Sequence, residues 1–121
     1  MSKCILLVED QEDIMQILRD TLNSADYETV EAKNGEEALA AVAARRPDLI
    51  LMDIQLPVMD GYEATRRIKA DSALRSIPII AVTSYALSGD EEKARAAGCD
   101  DFVPKPYSPR QLLAKVRQYL V

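Results

Sequence analysis

Leu49-Ile50-Leu51-Met52-Asp53 runs four apolar residues into a single carboxylate. The apolar residues are continuous and do not alternate with polar ones, so this strand is expected to be buried on both faces, as a central strand of a parallel sheet is. Three further runs end in a similar way. Ile5 to Val8 leads into Glu9 and Asp10, Ile79 to Val82 into Thr83, and Phe102 and Val103 lead through Pro104 to Lys105. In an open parallel sheet the carboxyl ends of the strands emerge along one edge, where ligands bind. Glu9, Asp10, Asp53, Thr83 and Lys105 are therefore expected to meet at one site.

Segments of helical period separate these runs. After a first strand over Cys4 to Val8, Ile14, Ile17, Leu18 and Leu22 recur at helical spacing behind an acidic start, Asp10 to Asp13. Thr29 to Ala32 reads as a short strand, Asn34-Gly35 as a turn, and Ala38, Leu39 and Val42 as a helix that Pro47 ends. Leu56-Pro57 and Asp60-Gly61 build a loop, and a helix follows to about Ala70. Ile77 to Val82 is the next buried run, with Pro78 tolerable near a strand start. The helix over Asp90 to Ala97 has only alanines as its apolar face, which predicts weak anchoring and freedom to shift. Leu112, Leu113, Val116, Tyr119 and Leu120 stripe the closing helix. Five strand–helix units in 121 residues predict an α/β fold and one domain over residues 1–121.

Composition excludes several function classes. With 15 Lys plus Arg against 20 Asp plus Glu the net charge is −5, which argues against nucleic acid as a direct partner. The apolar stretch near the N-terminus stops at Glu9, too short for a signal segment or a membrane span. No membrane insertion and a cytoplasmic location are expected. The chain has no histidine, which removes Ser-His-Asp and Cys-His catalysis, His-containing zinc sites and any phosphohistidine on this chain. A phosphoryl group, if used, must come from a partner or a small molecule.

The three carboxylates need a counter-charge. At ~4 Å and an effective dielectric near 20, each like-charged pair repels by about 4 kcal/mol. Mg2+ suits such an all-oxygen site, with Mn2+ as an alternative ion.

The acidic pair Glu9-Asp10, the strand-ending Asp53, Leu56-Pro57-Val58-Met59-Asp60-Gly61, Thr83 and Lys105-Pro106 together resemble the motif set of receiver domains in two-component response regulators. The likeness spans the whole chain and is to the stand-alone, chemotaxis-receiver-like kind. It implies a doubly wound five-stranded parallel sheet of flavodoxin-like order 2-1-3-4-5, with helices on both faces. It implies Asp10 and Asp53 as direct Mg2+ ligands with the backbone carbonyl of Gln55, and Glu9 acting through water. Asp53 would be the nucleophile that takes the phosphoryl group from a sensor histidine kinase or a histidine phosphotransfer protein. Lys105 and the Thr83 hydroxyl would bind the phosphoryl oxygens. Thr83 and Phe102 would act as the switch, and Gln55 and Tyr85 would tune the phosphoryl lifetime. A downstream protein would be met through the fourth helix, fifth strand and fifth helix, about Asp90 to Ala97, Asp101 to Val103 and Ser108 to Leu120. A phosphorylation-linked homodimer stays open. Such a domain catalyses its own phosphorylation and dephosphorylation, and is first a signalling switch. With Val121 directly after the last helix, output is expected through protein contacts.

Singly, these residues have plainer roles. Asp10 reads as a helix N-cap, Glu9 as a solvated charge, Thr83 as a β-branched strand end and Lys105 as a surface amine. Asp53 resists such a reading, because an unpaired carboxylate at the end of a buried strand is costly. Cys4 and Cys99 read as small buried hydrophobes, reduced because their strands are not neighbours in that order. Tyr62, Tyr107 and Tyr119 read as packing residues. The alternative function is a degenerate receiver acting as a phosphorylation-independent binding module, against which all the charged and hydroxyl positions are intact. A haloacid-dehalogenase-type phosphatase would carry an Asp-x-Asp pattern on the first strand, and Asp53-Ile54-Gln55 lacks it. A flavodoxin would need a phosphate-cradling loop where Glu9 to Glu12 would repel the phosphate.

Overall fold

A computed structural model of the chain describes residues 2–83, 90–105 and 107–120, with Asp90 and Glu91 described by backbone alone. Among them, the strands β1 (Cys4–Val8), β2 (Glu28–Ala32), β3 (Leu49–Asp53), β4 (Ile79–Thr83) and β5 (Asp101–Pro104) alternate with the helices α1 (Glu12–Ser24), α2 (Gly35–Ala44), α3 (Gly61–Ala70), α4 (Asp90–Ala97) and α5 (Pro109–Tyr119). All strand pairs are parallel and their order is β2-β1-β3-β4-β5. The expected doubly wound sheet is what the chain forms.

Alternation along each strand divides the core in two. Ile5, Leu7, Leu49, Leu51 and Ile80 cluster with Met15, Leu18 and Leu22 of α1 and Leu112 and Val116 of α5. Leu6, Val8, Ile50, Met52, Ile79 and Ala81 cluster with Ala38 and Val42 of α2, Ala64 and Ile68 of α3 and Ala94 of α4. β1, β3 and β4 are buried along their whole length, as their unbroken apolar runs require. The edge strand β2 exposes Glu28 and Glu31, charges that discourage pairing with another chain. β4 starts at Ile79, two residues later than the apolar run. Pro78 has no N–H to give the ladder, and its carbonyl accepts the Ile50 N–H at 2.9 Å instead.

Helix starts follow local chemistry. Asn34 Oδ1 accepts the Glu37 N–H at 2.9 Å, Asp60 Oδ1 accepts the Glu63 N–H at 2.9 Å, and Ser108 forms a capping box with Gln111 ahead of Pro109.

α4 meets the core through alanines, as its pattern predicts. Ala94 and Ala97 are the buried residues among its described side chains. Its C-terminal end is tied more firmly. Gly98 adopts φ 111°, the Cys99 N–H reaches Ala94 O at 2.9 Å, and the Asp100 N–H reaches Ile79 O at 2.8 Å. Lys69 Nζ then donates to Asp100 Oδ2 at 2.8 Å, Ile77 O at 2.8 Å and Arg75 O at 3.0 Å, spending all three ammonium protons. Lys69→Met keeps most of the stem but removes the ammonium from these carbonyls and from the Asp100 carboxylate, which keeps only the Ile79 N–H at 2.8 Å on that oxygen. It is expected to cost about 2 kcal/mol, roughly 8 °C in Tm for a domain of this size. A wild-type melting temperature for that variant would show that the clamp contributes nothing.

Candidate functional site

Register brings the strand-end residues together. The Glu9 N–H extends the β1 ladder to Ala32 O at 3.0 Å, Asp53 ends β3 opposite Val82, Thr83 ends β4, and the Lys105 N–H bonds Thr83 O at 2.7 Å just past β5. Carboxylate oxygens of Glu9, Asp10 and Asp53 all lie within 4.8 Å of one another. Lys105 Nζ stands 3.5 Å from Asp53 Oδ2 and 3.6 Å from Glu9 Oε1, spanning the two buried acids. Backbone donors fix the other oxygens. The Gln11 N–H gives 3.0 Å to Glu9 Oε2, and the Gln55 N–H gives 3.1 Å to Asp53 Oδ1.

Burial divides the three acids. Glu9 is 3% exposed and Asp53 6%, whereas Asp10 faces solvent. Burial pushes the Glu9 carboxyl up to about 7, the Gln11 N–H opposes that rise, the Asp53 charge adds to it and Lys105 opposes it. Burial likewise pushes the Tyr107 phenol up to about 12, with the charges of Glu9 and Asp53 adding to the rise. Three carboxylates against one ammonium leave this edge short of positive charge. The donors are all oxygen, with no imidazole and no thiolate, which fits a hard divalent cation such as Mg2+ and does not fit zinc.

Two simple readings of single residues do not survive. Asp10 is not the N-cap of α1, because Gln11 holds that position and makes no side-chain cap bond. Glu9 is not a solvated charge, because the β1 ladder runs on through it to Ala32. Phe102 is turned into the core, 9% exposed, beside Ala81 in register. Thr83 lies two residues beyond Ala81 on β4 and so shares its face of the sheet. Tyr85 and Pro106 lie outside the described residues. Tyr107 packs against the core on the α1–α5 side, as its reading as a packing residue predicts. In the sequence, Gly61 closes the loop ahead of a helix and ends the Leu56 to Gly61 motif. A Cβ there would stand 2.4 Å from Asp53 O, so α3 starts against the backbone of the acid itself.

The family model of the response regulator receiver domain matches residues 5–117. The chain belongs to this family. The receiver is 46% identical over 120 residues to the polar-differentiation response regulator DivK of Brucella anthropi, a match covering 99% of this chain and 98% of that protein. It also superposes on the receiver domain of the sensor histidine kinase PA1611 of Pseudomonas aeruginosa, with a TM-score of 0.93, 38% identity and 99% and 98% of the two chains covered. That structure has a magnesium ion coordinated in its active site cleft. The chemotaxis protein CheY4 of Vibrio cholerae gives a TM-score of 0.92 at 30% identity, covering 98% of the receiver and 99% of CheY4. Among the described residues no helix is long and apolar enough to cross a membrane.

Proposed function

We propose that the receiver accepts a phosphoryl group on Asp53 from a phosphohistidine of a sensor histidine kinase or phosphotransfer protein, and that this changes its contacts with a downstream protein. The observation that carries the reading is the Lys105 ammonium set between Asp53 and Glu9 at 3.5 and 3.6 Å, inside a three-carboxylate cluster. An Asp53 oxygen attacks phosphorus, the P–N bond of the phosphohistidine breaks, and the imidazole leaves with its proton. A carboxylate is ordinarily ionised at pH 7, so the missing histidine is no obstacle. Lys105 neutralises charge on the transferred oxygens, and the Thr83 hydroxyl donates to one of them. Asp10, Asp53 and the Gln55 carbonyl would hold Mg2+, with Glu9 reaching it through water. When bound, the ion screens the carboxylates from one another and from the incoming phosphoryl oxygens. Attack by water on the phosphorus later breaks its bond to the Asp53 oxygen, releasing inorganic phosphate and the free carboxylate, and Gln55 and Tyr85 tune how fast.

The output surface in this reading is α4, β5 and α5, with Phe102 on the sheet face that Thr83 shares. Calorimetric titration with Mg2+ tests the metal site. Wild type is expected to bind, and Asp10→Asn to bind at least about tenfold more weakly, since even residues that only orient a ligand cost that much when lost. Equal affinity in the two proteins would overturn the acidic pocket as the metal site.

A further inference from the structure

The loop of residues 54–60, which carries Gln55, is pinned from two sides by glycines. At its far end the Gly61 N–H donates to Ile54 O at 3.0 Å. Nearer its middle it meets α2. Gly35, the first residue of that helix, donates its N–H to Met59 O at 2.9 Å. A Cβ on Gly35 would stand 2.5 Å from that same oxygen, 2.8 Å from Met59 Cγ and 2.9 Å from Met59 Cβ. No side chain fits there without moving the loop.

What Gly35 touches is a strained turn. The Met59 N–H closes back on Pro57 O at 2.7 Å, and Val58 between them has φ 67°. A three-residue turn of positive φ is the rare and strained kind. For a β-branched residue it persists only where the surroundings hold it. The Val58 side chain is 76% exposed and does not supply that hold. Met59 is half-buried against the α2–α3 core, so lifting it outward would uncover apolar surface. Displacement at Met59 therefore runs along the loop, toward Gln55, whose N–H bonds Asp53 Oδ1 at 3.1 Å.

We propose that Gly35 is a positioning residue for the phosphoryl-transfer site: by letting the backbone of α2 close on Met59, it sets the path of the loop and hence the placement of Gln55 beside Asp53. The proposal rests on the reading that Asp10, Asp53 and the Gln55 carbonyl hold Mg2+. It makes α2, which contributes no side chain to the site, part of the site's support.

The test titrates Mg2+ into wild type, Gly35→Ala, Val42→Ala and Asp10→Asn, and melts each protein in parallel. Val42 is buried on the same helix, so its truncation loosens α2 without touching the loop. Gly35→Ala is expected to bind Mg2+ on the order of tenfold more weakly and to shift the amide resonance of Gln55. Val42→Ala is expected to melt earlier and bind as wild type does. Wild-type affinity in Gly35→Ala, or equal weakening in Val42→Ala, overturns the proposal. If Gly35→Ala does not fold, Val58→Pro at this exposed position, its ring fixing φ at about −65°, forbids the turn that the Gly35 bond holds. The same weakening is then expected, and unchanged affinity there is equally fatal. If Asp10→Asn binds as wild type does, the metal site itself is wrong and the proposal falls with it. If Asp10→Asn loses affinity and Gly35→Ala does not, only the role of Gly35 is refuted.

Discussion

Asp53→Asn is expected to abolish covalent phosphorylation of the receiver while leaving its fold in place. The amide has nearly the volume of the carboxylate, so the end of β3 keeps its place opposite Val82. The Gln55 N–H that now meets Asp53 Oδ1 at 3.1 Å still finds an oxygen. What disappears is the nucleophile, because a neutral amide oxygen does not displace imidazole from phosphorus. One of the charges beside Glu9 disappears as well. Burial comes first in pushing that carboxyl up to about 7, and the Asp53 charge adds to it, so the substitution lets Glu9 fall back toward the ordinary carboxylate range. The check is intact mass after incubation with acetyl phosphate and Mg2+, with a melting curve alongside. Wild type gains a phosphoryl increment and the variant none, at similar Tm. An increment on Asp53→Asn would put the nucleophile elsewhere.

Phe102→Ala is expected to cost about 3 kcal/mol, or roughly 12 °C in Tm, and to disconnect the site from α4. Ala81 beside it in register and Ala94 of α4 in the same cluster are too small to fill the space the ring leaves. Slight exposure of the ring, at 9%, keeps the cost at the lower end for an aromatic truncation. The functional loss has a separate cause. Phe102 belongs to the apolar cluster and not to the acidic one, so acceptance of the phosphoryl group proceeds at the wild-type rate. If Thr83 moves toward a phosphoryl oxygen, space opens on the face that the ring also occupies. Without the ring, the aromatic step that would pass this change to a helix held by Ala94 and Ala97 is lost. Amide shifts of α4 on addition of beryllofluoride report this. Wild type should shift there and Phe102→Ala should not. A full α4 response in the variant would remove Phe102 from the switch.

The unbroken apolar runs were enough to put the candidate residues on one edge of the sheet. A strand buried on both faces has no polar residue until it leaves the sheet, so Glu9, Asp53 and Thr83 could sit only at the carboxyl edge, and parallel connections put all those edges on one side. The alanine face of α4 and the caps of α2, α3 and α5 are equally local, because helical period and capping depend on residues within a turn or two of each other. Other features depend on segments distant in sequence, and only the tertiary structure decided them. Glu9 is buried and Asp10 exposed because the ladder from β1 to Ala32 runs one residue past the apolar stretch, which depends on where β2 pairs. Lys69 reads as an ordinary helix lysine until α3 is packed beside the β4 start and Asp100. Gly35 reads as half of an Asn-Gly turn until Met59, 24 residues away, closes to 2.9 Å of its nitrogen. Strand ends, period and caps are written residue by residue, whereas burial of a charge and the approach of two backbones arise only when separate segments share the same space.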